Sequence, residues 1–453
     1  MLEEVSLKLL VNTDTNKVVF AEAGKDFVDV LCSFLTLPLG TIVRLLQNDN
    51  TNMKPVKIGC LDSLYQSVEN LNVDCLNTRT CKKMLLYSRN SSEEYCNTLK
   101  LNIDDTTDPT RDFFMCSNLA DCKYSLLSSF RNQRCECGSL LGRPVLVKSD
   151  QVYNGFVKDG PVFIVTDDLS VFPNSVDTVF DLLKTLGIPC THSLKEMFVN
   201  ITYMQVLDLL KYSLLSKSSL TNLFLRKEPV LEETSFSTYD VPNNCRNRIK
   251  LKLFLREKDN EILFAQGEED FADFVFSFLT FPLGGVVRML GGNSSLGSID
   301  SLYKTILDLD GYKYLVSSEV KNRLVDPCIA PQFKLSKQIL QIYEPPASSV
   351  FNILNETCTK LSLLDPKSSK GAQEGYVKGP ALFMVTNDLV VEPMSPISAL
   401  LLLNRLETPP SEVTEKVVYI DVKEGLNILK AALTSNSKSA LRNGLSHLLT
   451  QAK

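Results

Sequence analysis

The chain repeats itself, and that limits every fold it can adopt. Residues 7–46 align with residues 251–290 without a gap, at a constant offset of 244, and 19 of the 40 pairs are identical. Unrelated segments of average composition would share about two or three. The signature reads SFLTLPLGTIVRLL in the first copy and SFLTFPLGGVVRML in the second. Further on, LDSLY from Leu61 matches IDSLY from Ile299 at an offset of 238. GFVKDGPVFIVTDDLSVFP from Gly155 matches GYVKGPALFMVTNDLVVEP from Gly375 at 220. Such a period is far too long for a solenoid and points to a duplicated domain.

The first repeat module is placed at residues 1–225 and the second at 248–453. Residues 226–247, with Pro229, Pro242 and mixed charge, read as a linker. The offset falls from 238 to 220, so the first copy carries 18 more residues in its middle. That middle, about residues 75–138, holds Cys75, Cys81, Cys96, Cys116, Cys122, Cys135 and Cys137. The matching stretch of the second copy holds Cys328 and Cys358. The expectation is a small Cys-rich, zinc-knuckle-like insertion in the first module alone.

Local patterns give an α+β fold. Two short apolar segments flank Asn12–Asn16, a hairpin signal. Asp26 then reads as a helix N-cap, and Phe27, Val30, Leu31, Phe34 and Leu35 fall on one helical face. Phe271, Phe274, Val275, Phe278 and Leu279 repeat it. Pro38 ends the helix because it lacks an N–H and clashes with the preceding turn. A second hairpin turns at Asp167-Asp168, with Asn387-Asp388 in its place in the second copy. A helix follows each, capped by Ser175 and stopped by Gly187, or begun by Ser395-Pro396. Each module is thus expected to be antiparallel β-hairpins followed by helices. With 44% hydrophobic residues, each half has material for its own core.

With LKLLVN…VVFAEAGKDFVDVLCSFLTLPLGTIVRLL, FIVTDDLSVFP, FMVTNDLVVEPMSPIS and VKEGLNILKAALTS in view, the chain resembles a plant family known only as a domain of unknown function, number 674. The resemblance covers nearly the whole chain. It implies a plant source and the tandem copies usual there. It implies no activity and no catalytic residue.

The strongest chemical signal is Cys116, Cys122, Cys135 and Cys137, followed by Gly138. Four thiolates around Zn²⁺ make a tetrahedral structural site, and close ligand pairs lower the entropy of closing it. Spacings of five, twelve and one differ from the usual two to four, and reduced thiols packed as small hydrophobes are the competing reading. Cys96 or Cys81 is the alternative for one of these ligands. Asp167-Asp168 suits a turn better than a catalytic pair. His192 and His447 lack counterparts in the other copy and stand in no catalytic motif. Pro282–Gly285 and Gly291-Gly292 lack phosphate-loop spacing and read as a helix-joining turn. Lys158 and Lys378 read as solvated strand-edge lysines.

A net charge of −5 without a basic run argues against nucleic acid. No apolar stretch approaches 18 residues, which argues against a membrane span. The acidic N-terminus lacks a signal-peptide pattern, so an intracellular, cytoplasmic or nuclear protein with reduced cysteines is expected. Two function classes follow. The first is a non-catalytic binding or scaffold protein with a protein partner, marked by exposed apolar surface. The second is an enzyme or small-ligand carrier, marked by a polar pocket in the cleft between modules.

Overall fold

The computed structural model describes residues 3–47, 57–105, 112–118, 122, 126–131, 133–148, 154–188, 191–226, 248–340, 342, 352–353, 362–367, 375–434 and 439–450. It is a mixed α+β structure built on three sheets. The linker expected at 226–247 lies, apart from Arg226, outside the described residues, as does Cys358.

The N-terminal half opens with β1 (Val5–Asn12) and β2 (Lys17–Ala23), then α1 (Lys25–Thr36), α2 (Leu39–Gln47), α3 (Leu61–Asn70), α4 (Arg79–Leu86) and α5 (Glu93–Cys96). Next come β3 (Asp112–Cys116), β4 (Leu126–Ser128), β5 (Gln133–Arg134) and β6 (Leu140–Lys148). The half closes with β7 (Phe163–Thr166), β8 (Val171–Pro173), α6 (Val176–Thr185), β9 (Leu194–Ile201), α7 (Tyr203–Leu215) and α8 (Ser219–Thr221). The C-terminal half opens with β10 (Ile249–Arg256), β11 (Glu261–Gly267), α9 (Glu269–Ser277), α10 (Leu283–Met289), α11 (Ile299–Asp308), α12 (Gly311–Tyr314) and α13 (Ser318–Val325). It continues with β12 (Asn352–Ile353), β13 (Ser362–Leu363), β14 (Phe383–Thr386), β15 (Val391–Pro393), α14 (Pro396–Arg405), β16 (Val413–Ile420), α15 (Val422–Leu433) and α16 (Ala440–Thr450).

The two larger sheets have one strand order, β8-β7-β2-β1-β9 and β15-β14-β11-β10-β16, antiparallel throughout. Alternation in β1 and β10 sends Val5, Leu7 and Leu9, or Ile249, Leu251 and Leu253, to the inner face. Phe27, Phe34, Phe271 and Phe278 are fully buried there. The outer faces carry α6 and α14, whose Val179, Leu182 and Leu183, or Leu402 and Leu403, pack on Phe20 or Phe264.

Three expectations need correction. Gly24, not Asp26, is the N-cap of α1, and Asp26 lies in its first turn. Gly284 and Gly285 lie inside α10, while Gly291 and Gly292 take positive φ just beyond it. The halves do not have separate cores: one cluster runs from Leu7 through Phe34 and Phe278 to Leu445.

The reason is the way the halves cross. α1 packs on α10 and α13. Pro38 forms an antiparallel bridge with Pro282, its partner at offset 244. Proline offers no N–H, so the following residues donate instead: Leu39 to the Phe281 carbonyl and Leu283 to the Leu37 carbonyl, both at 2.9 Å. Two further exchanges are reciprocal. Lys158 N–H donates to Tyr314 and Val316 N–H to Phe156; Asn77 N–H donates to Tyr376 and Lys378 N–H to Cys75. The crossing is too tight for side chains at two positions. A Cβ on Gly40 would stand 2.9 Å from the Leu279 carbonyl oxygen, and one on Gly284 2.7 Å from that of Leu324. Both obstacles are backbone. Gly40→Ala and Gly284→Ala are each expected to cost about 1–3 kcal/mol. Calorimetry should show both variants shifting one shared transition. A melt in two steps, with each variant moving only one, would contradict the common core.

Candidate functional site

The small third sheet runs β12-β6-β3-β4-β13, with β5 on β6. β6 bulges at Gly142, opposite the end of β3, and beyond the bulge Cys116, the last residue of β3, pairs with Leu141. The Ser117 amide donates to Leu140 and the Cys122 amide to Asn118, which brings Cys122 back beside it. Between β5 and β6 the chain reverses through Cys135-Glu136-Cys137-Gly138, closed by Gly138 N–H to the Cys135 carbonyl at 2.8 Å. Gly138 has φ of 86° with open space around the position of a Cβ, so conformation rather than crowding calls for glycine.

These turns converge four sulfurs. Cys116 Sγ lies 3.4 Å from Cys137 Sγ, Cys122 Sγ 3.5 Å from Cys135 Sγ, and all four lie within 4.8 Å of one another. Sulfurs bound at about 2.3 Å to one tetrahedral ion stand about 3.8 Å apart, so the set fits. The cluster could hold a metal ion, and among the described residues it is the one group of His, Cys, Asp or Glu side chains so placed. Cys116 and Cys135 are buried with Leu141, and Cys137 is exposed. Burial pushes the Cys135 thiol up to about 12 and raises that of Cys116; hydrogen bonds from Ser139, its backbone first, pull Cys137 down to about 6. Binding a cation there would release protons. The alternative ligands stay away: Cys81 is buried in the main core beside Thr78, and Cys96 beside Thr36 and Asn90.

The surroundings differ from the expected knuckle. The sheet continues to Lys148, beyond residue 138, and its outermost strands β12 and β13 come from the C-terminal half. Cys75 and Cys81 lie on a short 3-10 turn and on α4, and α12 and α13 occupy the same places in the other half.

A family model described as "Protein of unknown function (DUF674)" matches residues 2–437. The chain belongs to this family. No curated protein and no solved structure matches this DUF674 chain. No helix of its described residues is long and apolar enough to cross a membrane.

The other candidates have local roles. Asp167 accepts from the Thr221 amide and hydroxyl, and Asp168 from the Thr166 hydroxyl, so both hold the hairpin and its neighbour α8. Asn387 donates to the Ile262 carbonyl. His192 sits exposed on a short turn, and His447 Nε2 lies 2.7 Å from Glu424 Oε1. Lys158 Nζ donates to the Tyr312 carbonyl at 2.6 Å.

Two buried carboxylates escaped the sequence reading. Asp29 Oδ1 accepts from the Phe156 and Val157 amides at 2.7 and 2.8 Å; Asp273 Oδ1 accepts from those of Tyr376 and Val377 at 2.7 and 3.0 Å. An identical Asp among apolar residues in both helices was the available signal. Burial raises Asp29 to about 6 and Asp273 to about 7, against these amide bonds. Lys25 also opposes the shift at Asp29; at Asp273, Lys367 opposes it and Glu269 adds to it.

Purified DUF674 chain should carry about one ion by elemental analysis. Ser at Cys135 or Cys137 should release it, as should acid, because protons compete for the thiolates. A second prediction concerns Asp273, whose folded pKa lies above its unfolded value of about 3.9. Its contribution to stability is complete below about pH 4 and is lost as pH rises through about 7. Asp273→Asn keeps an acceptor for both amides. Its urea midpoint relative to wild type should therefore rise between pH 5 and pH 8, and an unchanged difference would contradict the assignment.

Proposed function

We propose that this DUF674 protein is a non-catalytic, intracellular plant binding protein, built from two copies of one module and stiffened by a structural zinc ion. The duplication, with modules at 1–225 and 248–453, is supported by the 19 identities in 40 positions, the shared strand order and the reciprocal bonds. An all-sulfur tetrahedral set favours zinc among common ions, and Cys116, Cys122, Cys135 and Cys137 would fill its coordination. That leaves no position for water or substrate, so the role is structural.

The observation that carries the binding reading is apolar surface left in matching places. α6 packs on Phe20, Ile164 and the β9 residue Leu194, while Phe198 on β9 is 77% exposed. On the other sheet Val413 of β16 packs with the α14 residues, while Val417 and Tyr419 of β16 are exposed. The helices add Phe180 and Leu400, each 56% exposed. Apolar surface repeated on equivalent elements suits a protein partner that is engaged twice. The test is a pair of variants, Phe180→Ser with Phe198→Ser and Leu400→Ser with Tyr419→Ser. Stability should stay within about 1 kcal/mol, since the side chains are exposed. In affinity purification from plant tissue, proteins recovered by wild type should be lost with the variants; an unchanged set would overturn the reading.

A second reading, a small-ligand carrier, has one observation in its favour. A cleft of about 760 Å³ lies between the halves, lined by Lys57, Asp62, Gln66 and Asn70 on one side and by Val391 and Glu392 on the other.

A further inference from the structure

The two buried carboxylates have different neighbours. In the N-terminal half the ammonium of Lys25, one turn before Asp29, is caged. It donates to Asp29 Oδ2 at 2.6 Å, to the Asn154 carbonyl at 2.5 Å and to the Val157 carbonyl at 2.7 Å. Its side chain is 11% exposed. These are three acceptors for the three N–H bonds of one ammonium group.

The C-terminal half has the same frame without the cation. Asp273 stands for Asp29 and Val377 for Val157, but position 269, which matches Lys25, is Glu. Asp273 is 8% exposed, and its Oδ1 is taken by two amides. Among the described residues no donor reaches Asp273 Oδ2 or the Val377 carbonyl. The Glu269 carboxyl packs at Gly379, where a Cβ would meet its Cδ at 2.7 Å. Where Lys25 fills its cage, a cavity of about 330 Å³ opens, lined by Glu269, Asp270, Asp273, Gly375, Val377 and Asn77. Asn77, from the other half, braces the wall by donating to the Gly375 carbonyl at 2.7 Å. The buried Lys367 is committed to the Gln332 carbonyl and Asp365. Lys337 reaches only the lining and is exposed.

We propose that this cavity binds a primary ammonium group from outside the chain, held by Asp273, Glu269 and the Val377 carbonyl as Lys25 is held by its own cage. The inference goes beyond the binding reading above, which concerns the outer faces of the sheets. The ammonium comes from a free small amine or from a lysine of a partner, and the chemistry is shared: three N–H donors on a compact charge. A quaternary ammonium has the charge without the donors.

The test uses the full chain and calorimetric titration with n-butylammonium, tetramethylammonium and Nα-acetyl-lysine amide at pH 8. Saturable one-to-one binding of butylammonium is expected, weaker by about tenfold or more for tetramethylammonium. Nα-acetyl-lysine amide binding tighter than butylammonium identifies a partner lysine as the source; equal or weaker binding identifies a free amine. Glu269→Lys installs the residue of the other half, so it should fill the cage and abolish binding, while Lys337→Gln should retain it. Carbodiimide coupling of labelled butylamine, mapped by mass spectrometry, locates the site without a variant, and Glu269 or Asp273 should be labelled ahead of other carboxyls. No saturable binding of either primary amine, equal binding of tetramethylammonium, binding that survives in a folded Glu269→Lys chain, or labelling elsewhere would each overturn the proposal.

Discussion

Everything in this molecule is arranged around the close crossing of two short segments, 37–40 and 281–284. Each has proline at the bridge, which ends one helix and cannot donate. Each has glycine two residues later, which lets the next helix start against the backbone of the other half. The exchanged bonds of Leu39 and Leu283 fix the register of the crossing. Once it is set, α1 must lie on α10 and α13, and the Phe stripes of the two halves merge into one core. Segments 75–77 and 314–316 then fall beside the GYVK and GFVK segments of opposite halves, giving the other reciprocal pairs. On the duplication reading, the crossing lies where an internal two-fold axis would pass, because Pro38 pairs with its own equivalent.

The cysteine sheet depends on that arrangement. β5 has two residues and β4 three, too short to be ordered alone. Their apolar complement is Leu141 with the partly buried Phe114, Leu126 and Leu364, and the last of these comes from the C-terminal half. A sheet this small gains order from the strands lent by the other half and from any ion bound to its four sulfurs. The position of Cys116 at the last rung of β3 beside a bulge, and of Cys135 and Cys137 in a glycine turn, lets the side chains converge on one point.

Period-two and period-3.6 patterns made much of the fold legible, because they record which face each element buries. The hairpins of β1 with β2 and of β7 with β8, the stop at Pro38 and the Ser175 and Ser395 caps all follow from local chemistry. What failed was non-local. Asp26 had the right residue type for a cap, but the helix begins at Lys25 and Gly24 takes the capping position. The Gly284-Gly285 pair looked like a turn, yet Gly284 answers to the neighbouring backbone of Leu35 and Leu324. On the duplication reading, the count of extra residues gives an insertion without its place, and Cys75 and Cys81 lie on elements that have counterparts in the other half. The four cysteines were legible as a set, but that other strands complete their sheet was not, since pairing with residues 352–353 and 362–363 leaves no trace in spacing.

Comparison between the halves carries information that neither half holds alone. A buried aspartate in a helix reads by itself as a structural anchor, and the two amide bonds to Asp29 and to Asp273 justify that reading. The identical anchor appearing twice separates what the fold requires from what varies around it. The fold requires the carboxylate, the two amides and a glycine beside them, since a Cβ at either Gly155 or Gly375 would overlap the aspartate oxygen. It does not require Lys25, because the C-terminal half keeps the frame with Glu269 in that place. A buried carboxylate beside a second one is electrostatically worse than one beside an ammonium, and Glu269 adds to the cost of ionising Asp273. The frame therefore tolerates an unfavourable charge pattern at the wall of an open cavity, where an added cation relieves it, while the N-terminal half relieves it internally.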